Sequence, residues 1–360
     1  MKKIIFIALG LVFSTYSFAQ NATPSKAAIL ESDKDVKSVS QYKVANKFHL
    51  DGDMGWDYVA VDESSNRLYV SHGNMVQVLD LKNGGKVIGT IGNLNGVHGI
   101  ALADDLNKGF ITSGRDSSVA IFDLKTLVTI TKFKVTGAGP DAILYDKFSQ
   151  RVFTFNGRTS NSTVIDAKTN AIVGTIELPG RPEFAVADGN GKIYDNLEDK
   201  SMICVINSTS MKVENTWSLA PGDGPSGLAI DVKSRRLFSV CDNKMMVIMN
   251  ADNGKIITTV PIGEHPDAAG FDVSVDRAYS SNGDGTLTVV KEDAGDKFTL
   301  LENVTTQKGA RTCAVNSITH HIYLPTAEFG AAPKPTPDKP KPRPSIVPNS
   351  FQILDVELVK

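Results

Sequence analysis

The chain has 360 residues, of which 41% are hydrophobic and 22% charged, and a formal net charge of −2. This length allows one large domain or two ordinary ones, and the composition is that of a soluble globular protein. The near balance of charge carries no electrostatic signature of nucleic-acid binding.

The first twenty residues, "MKKIIFIALGLVFSTYSFAQ", read as a secretory signal. Lys2 and Lys3 form the positive region, Ile4 to Phe13 the apolar region, and Ser17-Phe18-Ala19 the small-residue cleavage site. Cleavage is expected after Ala19, with export to the periplasm or the medium. The apolar run is too short to span a bilayer comfortably, and no later stretch is a membrane-span candidate. Residues 20–40 are polar and without pattern, and are expected to form a loose arm.

From residue 41 to 360 the chain is expected to be one repetitive domain. Strand-like runs ending in Asp or Asn recur at Asp62, Asp104, Asp146, Asp188, Asp231, Asp272 and Asn316, spaced by 42, 42, 42, 43, 41 and 44 residues. Each run, strand A, is followed by a polar turn and strand B ("RLYVSHG", "RVFTFNG"), strand C ("VQVLDLKNG") and strand D ("KVIGTIG"). Short β-branched strands with Gly and Asn turns at this period predict an all-β, seven-bladed propeller of four-stranded antiparallel blades. The last unit lacks strand D, and "QYKVANKFHL" at residues 41–50 is expected to supply it, closing the ring.

The period, "RLYVSHG", and "VIDAKTNAIVGTIELPG" resemble the YVTN-repeat, YncE-like seven-bladed propellers. The resemblance covers nearly all of the chain after the signal. It implies export, a WD40-like ring and a binding scaffold without an assigned reaction, and it neighbours the lactonase-like propellers.

Five residues before each repeat Asp or Asn stand Asp57, Gly99, Asp141, Glu183, Ser226, Asp267 and Arg311. In a propeller, strand A lines the central channel, so these seven positions are expected at one mouth. His98 precedes Gly99. The ends of strand B, read as His72, Arg115, Asn156, Asn196, Asp242, Asn282 and Thr326, are expected on the same side. Together they form the predicted ligand-binding ring, with His98 and Glu183 as candidate catalytic groups. Gathered carboxylates need a counter-charge, protonation or water. Asp141, Glu183 and Asp267, with Asn carbonyls, offer oxygen ligands suited to Ca²⁺ or Mg²⁺. Interblade hydrogen bonding, a ligand or partner site, and a metal centre all remain open uses of the ring.

Other polar residues point to fold maintenance. Asp62 with Arg67, Asp146 with Arg151, Asp231 with Arg236 and Asp272 with Arg277 flank the A–B turns, where Asp favours the turn and the cation is expected to pair across the hairpin. Asp80, Asp123, Asp166 and Asp355 read as turn or blade-contact residues, and "NGDG" at residues 282–285 as a turn. His320 and His321 are expected to face solvent. Cys204, Cys241 and Cys313 lie in apolar runs without CxxC or CxxCH spacing, so they read as buried thiols, with no zinc knuckle and no haem site. Only Trp56 and Trp217 are present, which does not match the repeated Trp docking motifs of quinoprotein (PQQ) propellers.

The insertion at residues 327–350 ("AEFGAAPKPTPDKPKPRPSIVPNS") breaks the repeat between strands B and C of the last unit. Its prolines favour an extended polyproline-II segment, and Lys334, Lys339, Lys341 and Arg343 outnumber Asp338. It is expected on the carboxylate side, as a surface loop or as a basic lid.

The expected function is therefore binding of a small molecule or an extracytoplasmic protein at the carboxylate mouth by a monomer. The rival is a divalent-metal-dependent, lactonase-like hydrolase or lyase using the same residues, with His98 moving a proton. No GxSxG elbow or HExxH motif is present.

Overall fold

The computed structural model describes residues 41–359 apart from 337–339, 341 and 343. The signal, the N-terminal arm and four charges of the insertion (Asp338, Lys339, Lys341 and Arg343) lie outside the described residues.

Seven antiparallel sheets of four strands each form a seven-bladed propeller. Blades 1 to 6 occupy residues 56–91, 97–134, 140–177, 182–218, 225–261 and 266–305, and each runs A-B-C-D in chain order. Blade 7 takes strands A (Ala314–Asn316), B (His321–Thr326) and C (Gln352–Leu358) from the end of the chain. Its fourth strand is Tyr42–His49, which pairs antiparallel with strand C from Tyr42 opposite Leu358 to His49 opposite Gln352. The expected closure is thus present.

Side-chain burial follows from the radial position of each strand. Strands A touch their neighbours around the ring and line its axis. Strands B and C are almost wholly buried, as in Arg67–His72 and Met75–Asp80. Strands D form the outer rim and are mostly exposed, as in Thr129–Lys134. A single sheet cannot bury both faces, so the core is built between blades. Apolar clusters straddle all seven blade interfaces: Tyr69 of blade 1 meets Phe122 of blade 2 at 5.7 Å between ring centroids, and Phe153 and Phe155 of blade 3 pack with Ile193 and Leu197 of blade 4.

Asp62 caps its turn as expected, accepting from Ser64 Oγ at 2.7 Å and Ser65 N at 3.0 Å. Its oxygens are thereby used, and the basic residues do not pair across the hairpin. Arg67 Nη1 instead donates to Leu124 O at 2.6 Å, Lys108 Nζ to Ala167 O at 2.9 Å, and Arg151 Nη1 to Ser208 O and Thr209 O at 2.7 Å each. Each cation satisfies carbonyls at the C–D turn of the next blade. Arg236 Nε donates instead to the Asp296 carboxylate of blade 6 at 3.1 Å, and Arg277 reaches blade 7 through the Tyr42 hydroxyl at 2.7 Å. The two histidines also differ from expectation. His320 Nδ1 lies 2.8 Å from Asp272 Oδ2, and His321 Nδ1 lies 2.5 Å from Asp355 Oδ1, so both turn inward to carboxylates.

The three cysteines are free thiols, with Cys204 and Cys241 buried and Cys313 half-buried. No helix among the described residues is long and apolar enough to cross a membrane.

Candidate functional site

Strand A of blade 2 (Val97–Ala103) approaches strand A of blade 3 (Pro140–Asp146) so closely that position 99 admits no side chain. A Cβ on Gly99 would stand 2.7 Å from Asp141 O. The functional side chain therefore comes one residue earlier, from His98. Its Nδ1 lies 2.5 Å from Asp57 Oδ2 of blade 1 and 3.4 Å from Asp141 Oδ1 of blade 3. One donor atom each from Asp57, His98 and Asp141 lies within 4.8 Å of the others, close enough to share one metal ion.

The backbones beneath are fixed by neighbouring hydroxyls. Asp57 N donates to Ser71 Oγ at 3.0 Å, Thr312 Oγ1 donates to Asp57 O at 2.8 Å, and Thr112 Oγ1 donates to Asp141 O at 2.6 Å. A small cavity of about 60 Å³ lies among the A strands of blades 1 to 4, lined by Tyr58, Ile143 and Phe184 with their neighbours.

To one side of His98 and Asp141 opens a cavity of about 370 Å³. Glu183, Arg158, Arg181 and Glu198 line it, with Gly114, Gly139 and Gly157 completing the wall. Arg181 pairs with Glu198. Burial, and then the Asp57 charge, pushes Asp141 up to about 6. Burial, and then the Asp141 charge, pushes Glu183 up to about 7. For His98, burial works against the charged form, but the Asp57 hydrogen bond and the Asp141 charge outweigh it and raise the imidazole. Behind Glu183, Asp195 is wholly buried, and burial, then the Glu183 charge, holds its carboxyl well above the usual range.

The structure brings Asp57, His98, Asp141 and Glu183 together, with Arg311 close enough for its charge to act on Asp141 and Glu183, while other predicted ring members are engaged in contacts of their own. Asp267 pairs with Arg311, which consumes the charge that the Asp141–Glu183–Asp267 ligand set required. Ser226 is buried and donates to Pro266 O at 2.9 Å. His72 is buried, with Nδ1 2.9 Å from Gln77 Oε1 and Nε2 3.1 Å from Met54 O. Asn156 is fully buried and donates to Asn161 Oδ1 at 2.9 Å. Asn282 is likewise buried and donates to Thr288 Oγ1 at 3.0 Å. Both bridge strands B and C of their own blades. Asn196 lies one residue before the end of its strand (Lys192–Leu197) and donates to Ser226 O at 2.9 Å in the next blade. Arg115 lies two residues beyond its strand (Lys108–Ser113), exposed, with its side chain over Gly96. Arg158, Arg181, Glu198 and Asp195 are the site residues that the repeat count missed. Arg158 and Arg181 follow glycines just outside the strands, the one signal that marks them.

No family model and no curated protein matches the chain. Solved structures match it in fold. The chain is similar to one from Kuenenia stuttgartiensis hydrazine synthase, at 15% identity and a TM-score of 0.68, over 77% of this chain and 94% of that one. It is also similar to a chain of the Mitotic Checkpoint Complex, at 12% identity and a TM-score of 0.72, over 95% of this chain and 99% of that one. At such identities the likeness concerns the fold, a seven-bladed β-propeller, and function rests on the site.

Proposed function

We propose that this protein is an exported, YncE-like propeller that binds a positively charged ligand at the channel mouth, a divalent cation being the simplest case. The observation that carries the reading is the convergence of Asp57, Asp141 and Glu183 around His98, with two of the carboxyls driven toward neutrality by burial and mutual repulsion. A cation removes that repulsion and uses the same oxygens as ligands. The imidazole in the compact set moves the preference from Ca²⁺ and Mg²⁺ toward Mn²⁺ or Zn²⁺, which accept nitrogen readily.

The test is chelator treatment followed by calorimetric titration with Mn²⁺, Zn²⁺, Ca²⁺ and Mg²⁺. One ion is expected to bind stoichiometrically, more tightly at pH 8 than at pH 5.5, because His98, Asp141 and Glu183 must lose protons first. Asp141→Asn should weaken it at least about tenfold. Absence of binding by every ion at pH 8 rejects the reading.

Glu183 favours a second reading, a metal-assisted hydrolase or lyase. A carboxyl near 7 facing a cavity beside the cluster has the poise of a general acid or base at neutral pH. Turnover of a lactone or ester panel that is lost in Glu183→Gln, with ion affinity retained, is the result this reading requires.

A further inference from the structure

A second cavity, of about 740 Å³, lies between the loops of blades 1, 6 and 7 and the flanks of the blade 7 insertion. The flanks of the insertion are not loose: Phe329 and Ile346 form an antiparallel bridge, with Gly330 N donating to Ser345 O at 2.9 Å and Val347 N to Glu328 O at 2.8 Å. Phe329 lies over the indole of Trp56 at 6.0 Å between ring centroids, and Phe351 stacks on the same indole at 5.3 Å. The cavity therefore has a built apolar lining of Trp56, Phe329 and Ile346. Trp56 Nε1 is buried with no hydrogen-bond partner among the described residues.

The charged residues of this lining, Lys308 and Arg311, have one sign. Lys308, His265 and Arg311 line the cavity, and no described carboxylate does. Arg311 is engaged by Asp267, while Lys308 and His265 are exposed. An apolar lining with cations is complementary to a molecule with an apolar body and one anionic end. The volume is in the range, about 300–1,000 Å³, of pockets that enclose small organic ligands.

We infer that this cavity binds a small amphipathic carboxylate, a medium-chain aliphatic or an aromatic acid. Its apolar part packs on Trp56, Phe329 and Ile346, and its carboxylate meets Lys308. The two sites share no lining residue, although the charge of Arg311 also acts on Asp141 and Glu183.

The chain has only two tryptophans, so Trp217→Phe leaves Trp56 as the sole indole reporter. Titration of this variant with octanoate and with benzoate should give a saturable change in Trp56 emission for at least one of them at concentrations below about 1 mM. Octanol and benzyl alcohol should bind at least about tenfold more weakly, and Lys308→Glu, a change at an exposed side chain, should weaken the acid by a similar factor. Asp141→Asn should leave acid binding unchanged, which separates failure here from failure of the cation reading. A response as large for the alcohols as for the acids, no loss in Lys308→Glu, or no saturable change for either acid overturns the inference.

Discussion

The imidazole of His98 meets two carboxylates through one nitrogen, and their charges favour the protonated ring, which makes the mouth sensitive to pH. Three groups there bind protons more tightly in the folded chain than in the unfolded one. Glu183 moves from 4.5 to about 7, Asp141 from 3.8 to about 6, and His98 upward from 6.5. Between the unfolded and folded values the unfolded chain has released protons that the folded chain still holds. Stability is therefore full below the unfolded values and falls as pH rises toward and past 7. The metal-free protein should melt at progressively lower temperature from pH 5 to pH 8. Glu183→Gln should match the wild type at pH 4 and melt about 2–4 °C higher at pH 8. Parallel melting profiles for the two proteins across that range would remove Glu183 as a strained group.

Among the elements, several A–B hairpins, those of Arg67, Lys108 and Arg151 among them, carry a cation whose targets lie one blade ahead. Arg151 Nη1 serves two carbonyls of blade 4, so Arg151→Ala removes charge-assisted hydrogen bonds across an interface. A loss of about 1.5–3 kcal/mol is expected in urea unfolding, with cation binding at the mouth unchanged. A neutral result would assign those contacts to the surface. The strand pattern itself was legible because each A strand ends on, or one residue before, a turn-forming Asp or Asn, from Asp62 to Asn316. The mouth positions Asp57, Asp141 and Glu183 follow by counting back from it. Strand B ends followed in four blades, at His72, Asn156, Asn282 and Thr326, and missed by one or two residues in the other three, which end at Ser113, Leu197 and Cys241, because the turn length varies enough to shift the count. A shift of one residue turns a side chain to the other face of a strand. Partners across blades were also invisible in one repeat unit. Asp62 and Arg67 looked like a pair until the turn hydroxyls and the carbonyl of Leu124 claimed them separately.

At the scale of the whole molecule, the ring has no free sheet edge at its seam because Tyr42–His49 completes blade 7. The seam is reinforced from the neighbouring blade. The Tyr42 hydroxyl lies 2.8 Å from that of Tyr279 and accepts from Arg277, and Tyr42 N donates to Glu302 Oε1 at 3.1 Å. Removing residues 42–49 should open an edge on strand C and strip the cover from Tyr279, giving a protein that aggregates on expression. A soluble monomer with unchanged melting temperature would contradict that role. Pairing of Tyr42 with Leu358 has a consequence for the order in which the chain can be written. The first and last strands meet as the two arms of a hairpin whose turn is missing. A two-residue turn joining residue 358 to residue 42 would make blade 7 run A-B-C-D like the others. New ends could then be cut in any exposed loop between strands D and A, and the circularly permuted chain should fold to the same ring with the same cation affinity.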